Sequence, residues 1–212
     1  VITLFLSAFV TLFVVIDPPG CAPIFASLTR GGSAVHRRAM ALRSVGVATG
    51  ILLIFALAGE ALLGALGISL DAFRTAGGIM LFLIALEMVF EKRTQKREDR
   101  AEKISKQASE EQREIEDISV FPMAIPMIAG PGSIATTMLL TSRSNGTMET
   151  AIVLAALAAV LMLTAMALLA AGPIMRVLGQ KLEAMITRIL GVLLAALAAQ
   201  FVIDGIKASV GV

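Results

Sequence analysis

A chain of 212 residues with 57% apolar and 16% charged side chains is too hydrophobic for a water-soluble domain, in which about a quarter of the residues are charged. Its formal net charge is only +2, and basic residues are nowhere interleaved with aromatics, which excludes a nucleic-acid-binding surface. One cysteine, Cys21, leaves no disulfide framework within the chain.

Runs of about 20 apolar residues match the roughly 30 Å hydrocarbon core of a bilayer, and they recur along the chain. Segment 1–16 has no basic start and no small-residue cleavage site after it, so it is not expected to be a signal peptide; the apolar stretch runs over 1–29. It is interrupted in its middle by Asp17, Pro18, Pro19 and Gly20. Stretch 44–68 carries only Glu60, and 72–90 carries Arg74 and Glu87. Residues 91–117 hold eight Lys/Arg and nine Asp/Glu, the pattern of a solvated linker. Stretch 118–141 is broken by Pro122, Pro126 and Gly130-Pro131-Gly132. Stretch 151–171 has no charge, and 186–206 has Arg188 and Asp204 near its ends.

Six crossings are therefore expected, in an all-α membrane protein. Loops 30–43, 91–117 and 172–185 then share one face, which with Arg188 holds 15 of the 18 Lys and Arg. By the positive-inside rule that face is cytoplasmic and both termini lie outside. Arg74 and Arg188 read as snorkelling anchors. Glu60 is expected to pair with Arg74, Asp204 to be a helix-end charge beside Lys207, and His36 to lie in a cytoplasmic loop.

An internal repeat is visible. "IDPPGCAPIFASLT" (16–29) matches "IAGPGSIATTMLLT" (128–141) at an offset of 112, and "LGISLDA" (66–72) matches "LGQKLEA" (178–184) at the same offset. A two-residue slip brings "RTAGGIMLFL" (74–83) onto "RILGVLLAAL" (188–197). Repeat one is 1–90 and repeat two is 118–212, within one transmembrane domain. Three crossings is an odd number, so the second copy enters from the opposite face. Such inverted repeats with discontinuous helices recur in secondary transporters.

Six of the seven prolines lie in or beside the two breaks. Proline removes a donor and obstructs the preceding turn, and unpaired backbone at this depth is tolerated only against protein or a water-filled cavity. Ten residues separate Gly20 from Arg30 and Gly132 from Ser142. At 1.5 Å per residue each half-helix is about 15 Å long, so both breaks fall near the midplane. Helix N-termini suit an anion and C-termini a cation. Two facing breaks therefore make a site for a small zwitterion. Its expected residues are Asp17, Pro18, Pro19, Gly20 and Cys21 from the first break, and Gly130, Pro131, Gly132, Ser133 and Thr136 from the second. Asp17 has two readings, a functional charge that carries a coupled proton and a cap for the half-helix after it. Among the hydroxyls, Ser133 is the first choice for ligand contact. Cys21 reads as a packing residue.

At these residues the chain resembles a known family. "DPPGCAPIF" (17–25) and "PMAIPMIAGPGSIATTM" (122–138) look like the paired signatures of the MarC family of bacterial and archaeal integral membrane proteins. "RTAGGIMLFLIALEM" (74–88) and "TRILGVLLAALAAQFVIDGI" (187–206) resemble its third and sixth helices. The family belongs with the lysine-exporter superfamily and includes SnatA-type transporters of small neutral amino acids. The resemblance implies residence in the inner membrane of a prokaryote, recognition of glycine- or alanine-like substrates by discontinuous helices 1 and 4, and proton coupling. Many members carry Asn where this chain has Asp17.

The partners implied are a small zwitterionic substrate, protons and the lipid bilayer. No cofactor motif, metal-ligand cluster or catalytic constellation is present in the sequence, and no Walker A motif. A channel, an exporter of another small solute and a membrane scaffold without transport are the alternative readings.

Overall fold

The computed structural model describes residues 1–29, 31–90 and 117–211. The expected linker, apart from Asp117, lies outside them. Among the described residues the elements are α1 (Ile2–Ile16), α2 (Pro18–Leu28), α3 (Ala34–Ala65), α4 (Leu70–Val89), α5 (Ser119–Ile128), α6 (Pro131–Ser142), α7 (Thr147–Leu169) and α8 (Ala171–Val210). Five stretches are long and apolar enough to cross a membrane, with α1 and α2 counted together. The pair α5 and α6, bent by 55°, makes a sixth if taken as one span.

Local chemistry explains the ends. Ser33 and Ser69 cap α3 and α4, their hydroxyls accepting from the amides of His36 and Ala72 at 3.1 and 3.2 Å. Two expected loops are helical: α3 takes in 34–43 of the first, and α8 takes in the whole of 172–185. In α8 the one proline, Pro173, stands in the first turn, where a missing amide costs no hydrogen bond. The α5 coil is wider than an α-helix and irregular, with Phe121 and Ile125 extended (φ −126° and −123°) just before Pro122 and Pro126. A residue preceding proline is pushed out of the helical region by the proline ring.

Ion pairs orient the bent pair. Asp117, just before α5, pairs with Arg43 near the start of α3. Arg143, at the end of α6, pairs with Asp204 of α8. Asp204 neighbours Gly205, which packs on Asp71 and Thr75, and α4 begins five residues after α3 ends. Arg43 and Ala65 are separated by roughly 33 Å along α3 at 1.5 Å per residue. So α5 and α6 together run from one end of the bundle to the other. They do not fold back to the end where they began.

α4 and α8 form the most extensive helix pair, antiparallel and reciprocal. A methyl group on Gly78 would lie 2.9 Å from the Ala198 carbonyl oxygen and 2.8 Å from Val202 Cγ2. One on Gly191 would lie 3.1 Å from the Ala85 carbonyl oxygen and 3.1 Å from Val89 Cγ2. The two sets of contacts superpose at an offset of 113, one residue from the sequence alignment of these helices. Small residues at a crossing let helix backbones approach closely where no hydrophobic effect drives them together. Around this pair the packing also exchanges partners: α1 and α2 lie on α7, while α5 and α6 lie on α3. The largest buried cluster runs through both breaks, including Ile16, Cys21, Met123, Met127, Ile128 and Ala129.

Candidate functional site

The first break is one residue wide. Asp17 ends α1 and begins α2 in the left-handed conformation, φ 58° and ψ 63°. Pro18 behind it disfavours the right-handed helical region, and Asp is among the few residues that visit the left-handed one. Its Oδ1 accepts from the Gly20 amide at 3.2 Å, and its carbonyl accepts from the Cys21 amide at 3.1 Å. Pro18 and Pro19 have no amide to offer. The leading donors of α2 are therefore occupied by Asp17 itself. The expectation that both breaks present free amides to an anion fails at this one.

The second break does present them. Gly130 precedes α6 with no side chain to cap it, Pro131 is its first residue, and the first helical bond runs from Ile134 N to Gly130 O. The amides of Gly132 and Ser133 fall within the unsatisfied first turn. Thr137 Oγ1 donates to the Ser133 carbonyl at 2.7 Å. Thr136 is 0% exposed, and its Oγ1 has no hydrogen-bond partner among the described residues. Thr136 follows Gly132 by four residues and Ser133 by three, which places all three on one face of α6. Sequence reasoning had favoured Ser133. The unpartnered hydroxyl at this break belongs to Thr136, whereas Thr137 donates to the carbonyl four residues back.

The breaks meet. A methyl group on Gly132 would lie 3.5 Å from Val15 Cγ1, two residues before Asp17, and 2.6 Å from Ile84 Cδ1. On Gly20 it would strike the Asp17 carboxylate, and on Gly130 the Pro126 carbonyl oxygen. The three glycines thus admit neighbouring protein atoms. What the arrangement leaves for a ligand are amides and hydroxyls. Asp17, Cys21, Ser133 and Thr136 are all buried, while Pro19 is half-buried and Pro131, the first residue of α6, is exposed. A cleft of about 400 Å³ between α4 and α8, lined by Ala72, Ile79, Ile206 and Val210 among others, lies at the helix ends, away from both breaks.

Two charged groups take partners other than those expected. Arg74 pairs with Asp71 at 3.6 Å, while Glu60 is exposed. Asp204 pairs with Arg143 at 2.9 Å rather than standing as a helix-end charge beside Lys207. At the opposite end, the hydroxyl of Ser119 and its amide donate to Asp117. These bonds and the nearby Arg43 hold the Asp117 carboxyl below its ordinary value against the effect of burial. Nothing in the sequence flagged either pair, since the partners stand 61 and 74 residues apart.

A family model described as MarC family integral membrane protein matches residues 2–210. A UPF0056 membrane protein of Methanocaldococcus jannaschii is 36% identical over 203 residues, covering 96% of each chain. The UPF0056 membrane protein YvbG of Bacillus subtilis is 36% identical over 199 residues, covering 94% of this chain and 92% of its own. A UPF0056 membrane protein of Aquifex aeolicus is 36% identical over 205 residues, covering 96% and 92%. No solved structure matches.

Proposed function

We propose that this chain, which belongs to the MarC family of integral membrane proteins, is a secondary transporter of small neutral amino acids, coupled to protons and binding the zwitterion between its two helix breaks. The carrying observation is the buried, unpartnered hydroxyl of Thr136 beside the uncapped start of α6. A buried hydroxyl without a partner costs free energy, and a ligand carboxylate accepting from Thr136 and from the Gly132 and Ser133 amides would remove that cost. The positive end of the helix favours the same group. The ammonium then lies toward the first break, where Asp17 supplies the negative charge and the proton-carrying candidate.

The reciprocal packing of Gly78 and Gly191 supports the reading of two inverted repeats. An antiparallel pair of equivalent helices is what a two-fold axis in the membrane plane produces, and such an axis gives a carrier two equivalent ways to open. In this reading the protein sits in the prokaryotic inner membrane. Its termini and the Arg143 end face outward, and the charged linker faces the cytoplasm. The resemblance to SnatA-type proteins supports glycine or alanine as substrate.

The test is uptake of labelled glycine and alanine into proteoliposomes with and without a pH gradient. Saturable, gradient-sensitive uptake is expected. Thr136→Val raises KM about tenfold, the loss of one hydrogen bond to a charged group, while Thr136→Ser retains it. Flux that does not saturate would favour a channel. Uptake equal to that of empty liposomes across a panel of small zwitterions would remove the amino-acid assignment.

A further inference from the structure

The bent span is tied at both ends by ion pairs, each joining one half of it to an unbroken helix. At one end Asp117 holds the start of α5 to Arg43 of α3 and accepts from Ser119. At the other, Arg143 holds the end of α6 to Asp204 of α8. The second oxygen of Asp204 accepts from Gln200 Nε2 at 2.6 Å, and the Arg143 guanidinium lies 4.9 Å from the centre of the Phe201 ring. Between the ties, α5 ends with Ala129 N bonded to Ala124 O, and α6 begins with Ile134 N bonded to Gly130 O. Neither bond crosses from one half to the other at Ala129–Gly130, so each half can tilt without dragging its partner.

We infer that the two ion pairs are the gates of the path to the breaks. Arg143–Asp204 closes the α6 side, and Arg43–Asp117 closes the α5 side. With both closed, Asp17, Cys21, Ser133 and Thr136 are buried, which is an occluded state. The side chains of the first pair are 32% and 31% exposed and those of the second 58% and 42%. Ion pairs this open to solvent contribute little net stability, as a gate that opens thermally requires. The inference rests on the proposed transport path only in taking the breaks as its centre.

Cys21 is the single cysteine and stands at the first break, so it reports access without any knowledge of the substrate. The experiment is the rate of Cys21 labelling by a membrane-impermeant maleimide in right-side-out and inside-out vesicles. Wild type is expected to label slowly from both faces. Arg143→Gln and Asp204→Asn each raise the rate roughly threefold or more from the α6 side alone, and Arg43→Gln and Asp117→Asn do so from the α5 side alone. The swapped pair Arg143→Asp with Asp204→Arg restores protection, which a misfolded protein would not do. Rates that are unchanged in the single variants, or raised equally from both faces, overturn the gates. Sided labelling in a protein that carries no amino acid would keep the gates and discard the substrate.

Discussion

Replacing Asp17 separates three roles that one carboxylate combines. Its Oδ1 accepts from the Gly20 amide, its backbone sits at φ 58°, and the residue is buried. Asn keeps the acceptor and tolerates the left-handed conformation, so Asp17→Asn melts at or slightly above wild type. Gly keeps the backbone and loses the side-chain cap, at a cost of only about 0.3 kcal/mol. Ala loses the cap and adds left-handed strain of about 1–2 kcal/mol, for a total of about 2–4 kcal/mol. The expected order of stability is Asn at or above Asp, then Gly, then Ala, read by thermal unfolding of the purified protein in detergent. An Ala variant as stable as wild type would refute the cap. The same series addresses coupling. If Asp17 carries the proton, the Asn variant keeps glycine binding but loses its response to a pH gradient in proteoliposomes. Retention of that response moves the proton elsewhere.

Gly78→Ala and Gly191→Ala force a methyl group against backbone and packed side chains of the facing helix, and each is expected to cost about 1–3 kcal/mol. The same change at Gly50 of α3 meets nothing within 4 Å and is expected to be neutral or stabilising by up to about 1 kcal/mol; melting temperatures rank the three. Because the Asp117 carboxyl is held below its ordinary value, its contribution is complete above about pH 4. It is lost as pH falls through the lower folded value. Arg43 and His36 are the charges that act on it. Comparing the acid limb of melting for wild type and Asp117→Asn isolates this contribution, and the variant loses that part of the pH dependence.

Apolar run length and the position of proline are local quantities, and they fix much of the architecture. The helical membrane class, the six apolar segments and the two broken stretches follow from them, because a bilayer demands about 20 apolar residues per crossing and proline kinks or breaks a helix in its interior. Asp17 as a cap was also legible, since Asp before two prolines at a helix start has one strong local preference. Partnerships across the fold were not. Arg143 with Asp204, Arg43 with Asp117 and the one-residue shift that sets Gly78 opposite Gly191 depend on how helices distant in sequence rotate against each other. Which threonine keeps an unpaired hydroxyl was settled in the same way. Thr136 and Thr137 are equivalent in the sequence and both are buried, but Thr137 donates to a carbonyl of its own helix and Thr136 Oγ1 has no partner among the described residues. Run length and capping are decided within a few residues of chain, whereas side-chain pairing and burial are decided by which helix faces meet. The sequence by itself therefore determined where the chain breaks, and only the tertiary structure decided which groups those breaks leave free.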